Sequence, residues 1–108
     1  MWALSKKNEP NADLEIDRVI HEPSRLKIMA QLYVVESADY TFLMKQLGFT
    51  WGNLSSHLTR LEKEGYVLVE KEFVDKKPRT TLCLTDAGRK AFNRYRAIMK
   101  DVIEELPE

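Results

Sequence analysis

Residues 41–65, TFLMKQLGFTWGNLSSHLTRLEKEG, decide how this chain folds. Leu43 and Leu47 lie one helical turn apart, and Gly48 follows them where a left-handed C-terminal residue favours glycine. Thr50 is placed to cap a second helix, its hydroxyl accepting from an otherwise unpaired backbone N–H. Leu54, Leu58 and Leu61 continue at helical spacing until Gly65 ends the run. The stretch therefore predicts two short helices joined by a tight turn. Between the leucines stand Trp51, Gly52, Asn53, Ser55, Ser56, Thr59 and Arg60, mostly short and polar. A helix with such groups at its N-terminal end can approach the edges of bases in a DNA major groove. The same pattern also suits a short amphipathic helix with a solvated face, and the residues after Gly65 separate the two.

Downstream, Tyr66 to Phe73 (YVLVEKEF) and Thr80 to Leu84 (TTLCL) are rich in β-branched and aromatic residues and have the length of strands. The polar, Pro-containing run Val74–Arg79 joins them as a turn, so the pair reads as a β-hairpin with a basic tip. Residues 71–79 hold Lys71, Lys76, Lys77 and Arg79 against Glu72 and Asp75, a local charge of +2. Thr85 then caps a last helix with Asp86 in its first turn, running to about Leu106 ahead of Pro107. Phe92, Tyr95, Met99, Val102 and Leu106 step by three or four residues and form one continuous seam, which Ala91 and Ile98 broaden. That seam either covers the chain's own core, or pairs with a second copy, or does both.

Upstream, residues 1–12 are loose material apart from Trp2 and Leu4. Asp13 is placed to cap a short helix through Ile20, which His21-Glu22-Pro23 interrupts. Pro23 suits the first turn of the next helix, from Ser24 to about Val35, and the apolar residues over most of its circumference mark it as central. Residues 36–39 read as a connector, with Tyr40-Thr41-Phe42 either a brief strand or the lead into the following helix.

The 108 residues suit one domain with a modest core, here taken as residues 13–106. A charged fraction of 31% is ordinary for a globular chain, and no apolar run is long enough to span a bilayer, so no membrane partner is expected. A lone Cys83 leaves no internal disulfide, which suits a reducing cytoplasm. The formal net charge is zero, but residues 1–22 carry −2 and residues 101–108 carry −4, leaving +6 on residues 23–100. A basic middle between acidic ends is compatible with a phosphate-binding face.

Helix, helix-turn-helix, basic hairpin and long helix, in that order, resemble the small winged-helix transcriptional regulators related to the MarR and ArsR groups. The resemblance rests on HEPSRLKIMAQL at 21–32, GNLSSHL at 52–58, LTRLEKEGYV at 58–67 and KKPRTTLCLTDAGRKAF at 76–92. It implies an α+β, mostly α fold: a winged helix-turn-helix with a two- or three-stranded wing sheet and a long C-terminal helix. It also implies a regulator that binds double-stranded DNA as a homodimer, with residues 50–64 as recognition helix and 73–80 as wing. On that mapping Trp51, Gly52, Asn53, Ser55, Ser56 and Thr59 face the groove. The chain is shorter than typical MarR proteins, which dimerise through long terminal helices, and it lacks the Cys and His clusters of metal-sensing ArsR relatives.

Within this reading Asn53 suits an adenine edge and Arg60 a phosphate. Lys76, Lys77 and Arg79 suit phosphates or the adjacent minor groove, against the plainer reading of a solvated turn. Phe92, Tyr95, Met99, Val102 and Leu106, on a helix of about residues 85–106, are the candidate dimerisation residues. His57 is expected to be a satisfied, half-buried histidine, His21 a capping or salt-bridged one, and Cys83 a packed strand residue. No metal-ligand spacing, Gly-rich phosphate loop or nucleophile motif is present, so neither a cofactor nor enzymatic activity is expected. The alternatives are a winged helix that binds protein rather than DNA, and an architectural binder with little sequence preference. The residues name no small-molecule effector.

Overall fold

The computed structural model describes residues 15–107. Its elements are α1 (Pro23–Val34), β1 (Ala38–Asp39), α2 (Tyr40–Leu47), α3 (Trp51–Lys63), β2 (Val67–Val74), β3 (Lys77–Leu84) and α4 (Asp86–Glu104). The strands form one antiparallel sheet in the order β1-β3-β2. The expectation of a loose segment over residues 1–12, with Trp2 and Leu4, lies outside the described residues.

The core is built where the helices converge on the root of the hairpin. Ile28, Met29 and Leu32 of α1, Leu43 of α2, Leu54 and Leu61 of α3 and Leu82 of β3 are almost fully buried. Phe92 and Tyr95 of α4 close the same cluster. Each fully buried aliphatic side chain contributes about 1.5–3 kcal/mol of transfer free energy. The leucine ladder of the opening stretch is thus what fixes the two-helix motif to the domain.

Several local expectations hold, and four are corrected. The helix expected over residues 13–20 begins outside the described residues, and its described part has no regular structure at 15–17 and a turn at 18–20. There Asp17 Oδ1 accepts from the backbone N–H groups of Val19 (2.9 Å) and Ile20 (3.1 Å). A short carboxylate that satisfies the backbone locally competes with a helix. Pro23 does open α1, but the cap is Glu22, whose carboxylate accepts from the Arg25 N–H at 2.8 Å. His21 therefore neither caps nor pairs with a carboxylate among the described residues; its Nδ1 shares a 2.8 Å hydrogen bond with the Tyr95 hydroxyl.

The connector at 36–39 contains β1, whose Ala38 and Asp39 pair with Leu82 and Thr81. Two residues are too few for any alternation to show in the sequence. The strand is made by β3 offering its free edge and by Ala38 being small enough to bury there. Finally, the wing loop expected over 73–80 shrinks to a two-residue turn. β2 and β3 stay paired out to Val74 and Lys77, and Asp75 and Lys76 both take positive φ, 52° and 67°. Paired positive φ marks the hairpin turn whose twist matches that of its strands, normally built from Asn and Gly.

α4 starts at a joint between the end of α3 and the hairpin. Thr85 caps it, accepting from the Gly88 N–H at 2.9 Å, and the same hydroxyl donates to the Gly65 carbonyl at 2.6 Å. The Thr85 N–H donates to the Tyr66 carbonyl at 3.0 Å. A Cβ on Gly88 would lie 2.1 Å from that carbonyl oxygen, so only glycine lets the helix approach. Farther along, the α1 residue Tyr33 donates to Asn93 at 2.7 Å and lies under the Arg89 and Arg96 guanidinium groups, 4.7 and 5.4 Å from its ring centre.

Candidate nucleic-acid interface

The turn between α2 and α3 forms as its residues dictate. Gly48 takes φ 73°, and the Phe49 N–H reaches back to the Met44 carbonyl at 3.0 Å, closing the end of α2. Thr50 is extended and caps α3, accepting from the Asn53 N–H at 3.1 Å. Beneath the first turn, buried Tyr40 donates to the Trp51 carbonyl at 2.7 Å, and the two rings lie 4.3 Å apart. Burial raises the Tyr40 pKa, outweighing a hydrogen bond with Ser55 that lowers it, so the phenol remains a donor at neutral pH.

With Leu54, Leu58 and Leu61 turned into the core, the rest of α3 faces solvent. Trp51, Gly52, Asn53, Ser55, Ser56, Thr59 and Arg60 are all exposed, Trp51 by 60%. Helical spacing places Gly52, Ser56 and Lys63 farthest from the buried leucines. Trp51, Ser55 and Glu62 turn toward the hairpin, and Asn53 and Arg60 lie on the other flank. The Thr59 hydroxyl donates to the Ser55 carbonyl at 2.9 Å, which leaves its lone pairs outward.

Between α3 and the hairpin runs a cleft of about 260 Å³, with Trp51, Ser55, Thr59 and Glu62 on one wall and Val69, Lys71 and Thr80 on the other. Strand alternation then sorts the wing. Val67, Val69, Lys71 and Phe73, with Leu84, Leu82, Thr80 and Pro78 opposite them, share the face that begins in the core and continues into this cleft. Lys77 and Arg79 lie on the other face. Arg79 stands across from Glu72, and its Nε is 3.6 Å from Asp39 Oδ1, the carboxylate that also caps α2. Lys76 projects from the turn itself. Lys76, Lys77 and Arg79 are all exposed.

The structure thus exposes all of the α3 candidates, with Gly52 and Ser56 outermost and the others spread toward the two flanks. It spreads the three wing cations over the tip and outer face. It adds Lys63, Lys71 and Phe73, which the sequence reading did not single out. Lys63 was findable, being eleven residues beyond Gly52 on a helix of 3.6 residues per turn. Lys71 and Phe73 were not, because YVLVEKEF does not alternate cleanly between apolar and polar residues and so does not show the inward face of β2. The candidate dimerisation residues divide. Phe92 and Tyr95 are buried in the chain's own core, and Met99 packs against that core. Val102 is half-buried and Leu106 is 55% exposed.

His57 is a half-buried, structurally engaged residue, as expected. Its Nδ1 accepts from Arg25 Nη1 at 3.3 Å and lies 3.9 Å from Glu22. Cys83 is half-buried on β3, opposite Leu68. Among the described residues no group of three His, Cys, Asp or Glu side chains could hold a metal ion, and no helix is long and apolar enough to cross a membrane.

Comparison with known proteins bears on this geometry. Residues 24–103 match the family described as a winged helix DNA-binding domain. An uncharacterized protein of Methanocaldococcus jannaschii is 35% identical over 78 residues, which is 72% of this chain and 85% of that protein. Among solved structures, a transcriptional regulator homologue protein from Pyrococcus horikoshii OT3 is 34% identical with a TM-score of 0.79, covering 85% of this chain and 91% of that one. A MarR-like transcriptional regulator from Thermotoga maritima shares the fold at 19% identity and a TM-score of 0.59, covering 77% of this chain and 58% of its own.

Proposed function

Because this chain belongs to the winged helix DNA-binding domain family, we propose that it is a sequence-specific transcriptional regulator that binds double-stranded DNA as a homodimer. α3 enters the major groove. Gly52 and Ser56 allow close approach, Asn53, Ser55 and Thr59 offer hydrogen bonds to base edges, and Arg60 and Lys63 reach phosphates. Trp51 lies against the sugar edge of the groove. Lys71, Lys76 and Lys77 contact the backbone or the adjacent minor groove. Arg79, shared with Asp39, holds the wing against the start of α2 as well as adding positive charge.

The observation that carries this reading is the exposure of the small polar face of α3. A helix that served only the core would gain nothing from a run of Gly, Asn and Ser, residues with weak helix propensity. The second copy binds through the outer half of α4, where Val102, Ile103 and Leu106 leave apolar surface uncovered. A twofold dimer then presents two α3 helices about 34 Å apart, matching half-sites one helical turn apart. Selection of bound duplexes from a random pool tests the proposal. A palindromic consensus whose binding weakens steeply with salt is the expected result. Failure to enrich any sequence, with no salt-dependent shift of duplex, would return the fold to protein recognition.

A further inference from the structure

The proposed contacts leave Phe73, at the wing, without a role. It is a large apolar side chain near the tip of the hairpin, and it is 77% exposed. Its neighbours out to the turn are exposed too, so no part of the described domain shelters it. Register places it directly across from Pro78, on the same sheet face as Val69, Lys71 and Thr80. That face lines the cleft against α3, so the Phe73–Pro78 pair lies on the side of the wing that looks toward the recognition helix. Lys71 precedes it on the face and Lys76 stands at the turn beyond it.

We propose that Phe73, backed by Pro78, is an apolar wedge that the wing presses into the minor groove beside the major-groove site, against an exposed base step. The proposal rests on the DNA-binding reading above and adds a second mode of recognition to it. Apolar side chains of this kind lodge between partly unstacked base pairs, and the cost of unstacking depends on the step. Pyrimidine–purine steps open most readily, so the wedge prefers them at a position where no hydrogen bond reads a base. Flanking lysines hold the phosphates on either side and keep the ring in register. Pro78 stiffens the strand behind the ring, because its φ is fixed.

The test uses the full chain and the duplex selected in vitro, with 2-aminopurine placed at successive steps beside the half-site. Phe73 is exposed, so Phe73→Ser should fold normally, which circular dichroism verifies. The expected result is a rise in 2-aminopurine fluorescence at one flanking step with the wild-type chain. Phe73→Ser should abolish that rise and weaken binding roughly tenfold, and Phe73→Leu should keep most of both. The dependence of affinity on salt should be unchanged, since no phosphate contact is lost. Wild-type affinity with an undiminished 2-aminopurine rise in Phe73→Ser, or no rise at any flanking step with the wild-type chain, would overturn the wedge and leave the DNA-binding reading standing. So would an effect of Phe73→Ser on self-association alone. A wild-type chain that shifts no duplex overturns both.

Discussion

At the scale of single residues, the tightest constraint is Gly88. Thr85 caps α4, and the Tyr66 carbonyl sits where a Gly88 side chain would be. Gly88→Ala forces the helix off that carbonyl and breaks the Thr85–Tyr66 hydrogen bond with it. The expected loss is about 3 kcal/mol, the upper end of overpacking costs, read as a lowered urea midpoint at unchanged m-value. Nearby, the Tyr66 hydroxyl donates to Asp17 at 2.5 Å. Burial first, then the Asp17 hydrogen bond and charge and the Glu64 charge, raise the Tyr66 pKa well above its ordinary value. Tyr95 is raised too, by burial and then by Asp17. A group whose folded pKa is raised contributes stability that is complete below its unfolded pKa, about 10 for tyrosine, and is lost as pH climbs through the folded value. Stability should therefore hold from neutrality to about pH 9 and fall above about pH 10, and Tyr66→Phe should shallow that fall. A fall in Tyr66→Phe as steep as in the wild type would sink the assignment. Thr85-Asp86 was legible as a cap because capping is local. The need for glycine at 88 was not, since the atom that enforces it belongs to a residue on the far side of the hairpin.

Among the elements, the wing departs most from its sequence. Lys76 sits in the left-handed region, which costs a residue with a side chain about 1–2 kcal/mol. The turn tolerates it because the paired strands on both sides dictate the geometry. Two properties of Lys76→Gly should consequently move in opposite directions. Thermal stability should rise by an amount corresponding to about 1 kcal/mol. Affinity for duplex should fall, with the salt slope reduced by about 0.9 if the lysine meets one phosphate. Equal affinity at low salt would remove Lys76 from the interface. The hairpin itself was legible from its β-branched runs, but its length was not. Lys77, Pro78 and Arg79 read as loop residues and are strand residues here, paired with Val74, Phe73 and Glu72 respectively. The end of α2 and all of α3 were legible nearly to the residue, because the signals Gly48 and Thr50 act through the backbone alone; the start of α2 was not, since Tyr40-Thr41-Phe42 read equally as a strand.

On the scale of the whole molecule, the α4 seam is buried over its first half and exposed toward its end. Phe92, Tyr95 and Ile98 face the domain, while Ile103 is 60% exposed and belongs to the helix's free end. Ile103→Lys together with Leu106→Lys should leave the fold intact, convert a dimer to a monomer in light scattering, and weaken binding to a palindromic site far more than to a single half-site. Retention of the dimer would move the interface elsewhere. The sequence showed the seam but not its division, because a step of three and four residues is the same whichever surface it meets. The joint at Thr85 has a mechanical consequence. Its hydroxyl and its N–H grip the consecutive carbonyls of Gly65 and Tyr66, immediately after α3 ends. The start of α4 is thereby clamped to the end of α3. If two copies of α4 cross in the proposed dimer, a few degrees of scissoring between them would shift the two α3 helices relative to each other. Anything that wedges or closes that crossing, far from the DNA, would tune which spacing of half-sites the protein can straddle.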